Sequence, residues 1–173
     1  MHNRVLIGVI GLVLSGCTFN FPLFPGPGPL QEAQVEGTGK AKVLLIEISG
    51  MISSQEKDGL RSAPSMIASV KEQLTRAAKD EKVKAVVLRI NTPGGTVTAS
   101  DIIYHELKTF KASRKVPIVA SIMDLGTSGG YYIAAAADTV LAHPSSVTGS
   151  IGVIMLTMNA RGLLEKVGVE ATA

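Results

Sequence analysis

The sequence has 173 residues, 46% of them hydrophobic, with 17 Lys and Arg against 14 Asp and Glu. That is one domain's worth of chain with an ordinary apolar fraction, which excludes a wholly disordered, collagen-like or coiled-coil protein. The net charge of +3, the lack of tryptophan and the single cysteine exclude a dense nucleic-acid surface, a base-stacking platform, a disulfide framework and a cysteine-rich metal site.

The first seventeen residues read as an address. Met1 to Arg4 is a short basic start, and residues 5–14 are a ten-residue apolar run. At about 1.5 Å per residue that run covers roughly half of a bilayer core, so it is a signal-peptide core and not a membrane-spanning helix. Leu14-Ser15-Gly16-Cys17 follows and resembles the bacterial lipoprotein box. The expectation is a signal peptide over residues 1–16, with Cys17 lipidated and holding the protein to a membrane face. Residues 17–42, rich in Pro and Gly between Phe21 and Pro29, are expected to form a tether.

A folded domain is expected over residues 43–173. Residues 43–48 and 83–90 are short apolar runs that read as buried strands, with a polar stretch over 49–64. Met66, Ile67, Val70 and Leu74 recur at helical spacing up to Lys79. A turn at 91–95 leads to a helix over 99–111, with Ile102, Ile103, Leu107 and Phe110 on one face. Residues 116–123 read as a strand, 124–130 as a glycine-rich turn and 130–137 as a short helix. Strands over 139–142 and 151–158 and a helix over 161–167 complete the series. Alternating strands and helices predict an α/β fold with a mainly parallel sheet covered by helices on both faces.

Two turns carry the candidate chemistry, each at the carboxyl end of an expected strand, where open α/β sheets place their sites. In Gly126-Thr127-Ser128-Gly129-Gly130, a serine stands at a strand-to-helix turn between small residues. The Gly129 N–H could donate to an oxyanion. Pro93-Gly94-Gly95 could supply a second backbone donor. Two N–H groups converging near a serine hydroxyl are what acyl transfer needs. The same stretch fits the G-x-S-x-G elbow of the α/β-hydrolases, but only Asp138 and His143 follow it as acid and base, in a context that does not suit that fold. His2, His105 and His143 show no metal-binding spacing, so neither a metal nor a cofactor is expected.

Three ordered segments resemble the signatures of the signal peptide peptidase A (protease IV) family: 89–97 (RINTPGGTV), 127–134 (TSGGYYIA) and 148–153 (TGSIGV). The resemblance covers roughly Val43 to Val169. It implies a Clp-protease/crotonase-like fold and a membrane-associated serine endopeptidase that cleaves signal peptides or other membrane-associated peptides. By the resemblance, Ser128 is the nucleophile, Gly129 lines the oxyanion hole, and Gly94 or Gly95 is its partner there. Ser150 corresponds to a serine that orients a lysine base. A lysine can take the serine's proton only if burial leaves it neutral.

By the resemblance, the family's lysine lies downstream of Ala173, so the peptidase domain is expected to be incomplete at its C-terminus here. Lys166, on an expected surface helix, is the only lysine after Ser128 and makes a poor base, and His105 and His143 are no better placed. The resemblance also implies a homo-oligomeric ring, a peptide substrate, a bacterial-envelope location facing the periplasm or exterior, and no nucleic-acid partner. The alternative expectation is a non-catalytic envelope lipoprotein serving as a subunit of a homologous peptidase ring.

Overall fold

Strand pairing builds the molecule outward from its most apolar segments. A computed structural model describes residues 31–56 and 63–169. The expected signal peptide and Cys17 lie outside the described residues. The expected tether is described only from residue 31, and residues 31–41 are exposed and without regular structure.

β1 (Lys42–Ser49) and β2 (Val83–Thr92) pair in parallel, and β3 (Ile118–Thr127) continues the sheet on the other side of β2. Two short strands share the outer edge of β3. β4 (Thr139–Ala142) pairs with Val119–Ile122, and β5 (Val147–Gly149) pairs with Leu125–Thr127, both in parallel.

Three helices lie between these strands in the chain. α1 (Met66–Lys79) starts at Ser65, whose hydroxyl accepts from the Ala68 N–H, and buries Val70, Leu74 and Ala77. α2 (Val97–Arg114) starts at Thr96 and ends at Lys115 in a left-handed cap. It buries Ala99, Ser100, Ile103, Leu107 and Phe110. α3 (Gly129–Ala134) is the short helix after Ser128, and α4 (Arg161–Lys166) is exposed. The Arg114 guanidinium donates to the Ala78 and Asp80 carbonyls, so the end of α2 closes the free carbonyls at the end of α1.

The core is a single layer between sheet and helices. Ile46, Ile48, Val86, Leu88, Ile90, Ile118, Ala120 and Ile122 point from alternate strand positions onto Val70, Leu74, Ile103, Leu107 and Ile133. Each fully buried Ile or Leu contributes about 1.5–3 kcal/mol in removal from water.

The structure corrects the sequence reading at three places. The described helices cover one sheet face, not two: Val43, Leu45 and Met123 on the other face are 40–62% exposed, around a Glu47–Arg89 ion pair of 2.9 Å. The strand expected over 151–158 does not form. Its apolar side chains are 71% or more exposed, and it pairs with none of the described strands, the outer edge of β3 being taken by β4 and β5. The turn expected over 124–130 is strand as far as Thr127, since Leu125–Thr127 are held by β5 and Gly126 is paired with Thr92. The short helix is accordingly confined to Gly129–Ala134.

Candidate active site

β2 and β3 end side by side, and each runs directly into a turn bearing one of the two glycine motifs. Their pairing slips before the end. Ile90 faces Ile122 but Thr92 faces Gly126, so two residues of β2 stand against four of β3. Asn91 fills the gap: its side-chain carbonyl accepts from the Leu125 N–H (3.2 Å) and its amide donates to Asp124 (3.3 Å). The irregularity brings the end of β3 level with the first turn.

Ser128 stands at the tip with φ 50° and ψ −120°. A residue with a Cβ rarely adopts this backbone, and such outliers persist only where the surroundings enforce them. Here the Ser128 N–H donates to the Gly149 carbonyl (2.8 Å), and the Ser128 carbonyl accepts from the Tyr132 N–H (3.0 Å). The side chain is half-buried, and no described residue hydrogen-bonds its hydroxyl.

The first turn packs against this elbow. Gly94 has φ 102°, and a Cβ there would lie 2.8 Å from Ser128 Cβ and 2.9 Å from the Gly129 nitrogen. Both conformation and space therefore demand glycine. At Gly95 a Cβ would lie 1.9 Å from the Ile52 carbonyl oxygen. Ile52 is fully buried, although the sequence around it reads as a polar loop. Its N–H donates to the Gly94 carbonyl and its carbonyl accepts from the Thr96 N–H, both at 2.9 Å. A Cβ at Gly129 would meet the Ser100 hydroxyl at 2.2 Å and lie 3.5 Å from the Gly95 nitrogen.

The three glycine amides differ in their partners. Gly94 donates to Thr92 Oγ1 at 3.0 Å. The Gly95 and Gly129 N–H groups have no acceptor among the described residues. A polar backbone group left without a protein partner is uncommon away from water. Here Gly129 is buried and Gly95 exposed, and both open donors stand beside one serine. Of the two candidates for the first-turn donor, Gly94 is committed elsewhere and Gly95 is open.

Ser150 follows β5 directly, next to the Gly149 carbonyl that holds Ser128. It too has a positive φ, 48°, and it is exposed. Among the described residues only Lys115, Ser128 and Ser150 are non-glycine residues of positive φ, and Lys115 merely closes α2.

The other candidates lie apart from these bonds. His143 pairs with Ser145 (2.8 Å), and His105 lies 3.5 Å from Asp101 on the surface of α2. Lys166 is exposed in the last turn of α4. Tyr132 donates to Asp101 (2.8 Å), and that bond holds the phenol above its ordinary pKa. No group of three or more His, Cys, Asp or Glu is assembled for a metal among the described residues.

Three residues at the site were not singled out from sequence. Thr92 and Thr127 are buried and hold the first turn, Thr127 by donating to the Pro93 carbonyl (3.0 Å). Ser100 backs Gly129. The only sequence signal for them was a polar residue adjoining each glycine turn or, for Ser100, lying in an otherwise ordinary helix.

Residues 110–173 match the model of peptidase family S49. The chain is 35% identical over 130 residues to protease 4 of Haemophilus influenzae, covering 75% of this chain and 20% of that protein. It is 35% identical over 140 residues to a putative signal peptide peptidase SppA of Enterococcus faecium, covering 80% and 40%. The chain thus spans less than half the length of these relatives. Among solved structures it superposes on the 1510-N membrane-bound stomatin-specific protease as a serine-to-alanine variant, with a TM-score of 0.55 at 19% identity. That match covers 70% of this chain and 53% of the other. A lysine-to-alanine variant of the same protease, in complex with a substrate peptide, gives 0.54 at 21% identity, covering 68% and 48%. The architecture is the Clp-protease/crotonase-like α/β fold.

Proposed function

Because the chain belongs to peptidase family S49, we propose that it carries the nucleophile and oxyanion hole of a serine endopeptidase acting on signal peptides or other membrane-associated peptides. Ser128 attacks the scissile carbonyl carbon through Oγ. The carbonyl oxygen, gaining negative charge, takes hydrogen bonds from the Gly95 and Gly129 N–H groups. A neutral lysine accepts the Ser128 proton and returns it to the leaving amine, and water then hydrolyses the acyl-enzyme. Ser150 orients that lysine, which is supplied by chain beyond residue 173 or by a neighbouring subunit. Cys17 carries the lipid that keeps the enzyme at the envelope membrane, and subunits assemble into a ring.

One observation carries this reading: a serine held at φ 50° and ψ −120° beside two backbone N–H groups that have no acceptor among the described residues. A strained elbow exposes the hydroxyl and aims it, and preorganised amides stabilise charge as it develops. Removing one such donor costs an enzyme about 10²–10³ in kcat.

The test is hydrolysis of a fluorogenic apolar peptide by the full chain extracted from its membrane, compared with Ser128→Ala. The proposal expects activity that the variant abolishes. Activity unchanged in Ser128→Ala would refute it. A folded oligomer with no hydrolysis, co-purifying with an active homologue, would favour the non-catalytic subunit instead.

A further inference from the structure

We propose that Thr92 is a positioning residue that decides which of two consecutive glycine amides faces the reacting carbonyl. The inference rests on the oxyanion hole proposed above. Thr92 is the last residue of β2 and is fully buried. A hydroxyl has one proton and two lone pairs. The Thr92 oxygen lies 2.5 Å from the Gly50 carbonyl and 3.4 Å from the Gly94 carbonyl, so its proton goes to Gly50. A lone pair is thereby free to accept from the Gly94 N–H at 3.0 Å.

This bond fixes the turn. Gly94 has no Cβ and sits at φ 102°, so its peptide groups are set by their hydrogen bonds: Thr127 holds the Pro93 carbonyl on one side of the first peptide, and Thr92 holds the Gly94 N–H on the other. The Gly94 carbonyl accepts from Ile52 (2.9 Å), which points the Gly95 N–H of the same peptide the opposite way, and with the Gly94 N–H tied to Thr92 the Gly95 amide is the one left open. Among the described residues the Gly94 N–H has no acceptor besides Thr92, so loss of the hydroxyl frees it. Gly94 and Gly95 would then compete for the site.

The Thr92 methyl has a separate task. A Cβ at Gly130 would lie 2.5 Å from it, so the methyl packs under α3 two residues after Ser128. One side chain thus touches both turns, the first by its hydroxyl and the second by its methyl. The two halves can be removed independently. Thr92→Val keeps the shape and deletes the hydroxyl, and Thr92→Ser keeps the hydroxyl and deletes the methyl.

The experiment compares both variants with the wild-type full chain. Peptide hydrolysis is one readout. Exchange of the Gly94 and Gly95 amide protons, followed by NMR of ¹⁵N-glycine-labelled protein, is the other. In the wild type Gly94 is expected to exchange slowly and Gly95 quickly. Thr92→Val is expected to lower kcat about ten- to a hundredfold with KM within about twofold. It should also speed Gly94 exchange at least tenfold relative to the core amide of Ile103. Thr92→Ser is expected to retain the wild-type exchange order, and kcat within about threefold, while unfolding at a lower temperature.

A purely structural role would speed Gly94 and Ile103 exchange by the same factor, and that result overturns the proposal. Equal kcat in Thr92→Val and wild type overturns it as well. If the wild type itself hydrolyses nothing, the peptidase reading fails. The Gly94-to-Ile103 exchange ratio in Thr92→Val still decides whether Thr92 selects the open amide.

Discussion

Strain at Ser128 has a measurable stability, and replacing Ser128 by glycine and by alanine isolates it. Both substitutions remove the hydroxyl, so they differ only in what the backbone tolerates. At φ 50° and ψ −120° a residue with a Cβ carries about 1–3 kcal/mol of strain. Alanine keeps that strain and glycine relieves it. Glycine also loses more backbone entropy on folding, about 0.5–1 kcal/mol relative to alanine. The difference leaves Ser128→Gly more stable than Ser128→Ala by about 1 kcal/mol. For a domain of this size that is a rise of roughly 3–5 °C in Tm. The assay is thermal unfolding of the two variants, followed by circular dichroism in the same buffer. A Tm for Ser128→Gly equal to or below that of Ser128→Ala would refute the strained elbow, and with it the idea that the fold stores strain to aim this hydroxyl.

Gly95→Ala must push a Cβ to within 1.9 Å of the Ile52 carbonyl. It should destabilise by about 1–3 kcal/mol in denaturant titration and lower kcat by at least tenfold. Gly152→Ala meets nothing within 4 Å and serves as the control, with stability expected within about 0.5 kcal/mol of wild type. Asp138 accepts from the Ile118 N–H (2.8 Å) and pairs with Lys111, and these hold its carboxyl below the ordinary carboxylate range. Its folded pKa being the lower one, its contribution is complete above the unfolded value near pH 4 and is lost as pH falls through the folded value. Asp138→Asn should therefore flatten the acid limb of a stability–pH curve below about pH 4. A wild-type and variant pair with parallel acid limbs would contradict this.

The sequence made the inner strands legible because their burial is written in composition. Residues 43–48 and 83–90 are apolar runs, and they became β1 and β2 with Ile46, Leu88 and Ile90 fully buried. The helices were legible by period: Val70, Leu74 and Ala77 mark one face of α1. What failed depended on partners distant in sequence. Residues 151–158 have the composition of a strand, but β3 offers them no free edge among the described residues. Gly126 looks like a turn residue. It lies in a strand because Thr92 and β5 hold its backbone, and it is glycine because Ile122 packs where a Cβ would be.

The candidate site was legible as residue types and not as bonds. Glycines around Ser128 and after Pro93 signal close backbone approach, and the geometry has that form. The choice between Gly94 and Gly95 could not be read from sequence. It turns on which amide the Thr92 hydroxyl takes, and that depends on Gly50, forty-two residues earlier, accepting the hydroxyl's proton.

The account is tested most directly by a structure of the full chain with a peptide boronic acid. Boron bonded to Ser128 Oγ, with one boronate oxygen within about 3.2 Å of both the Gly95 and Gly129 nitrogens, is the predicted result. Boron bound elsewhere, or an oxygen held by the Gly94 amide with Gly95 turned away, would contradict it.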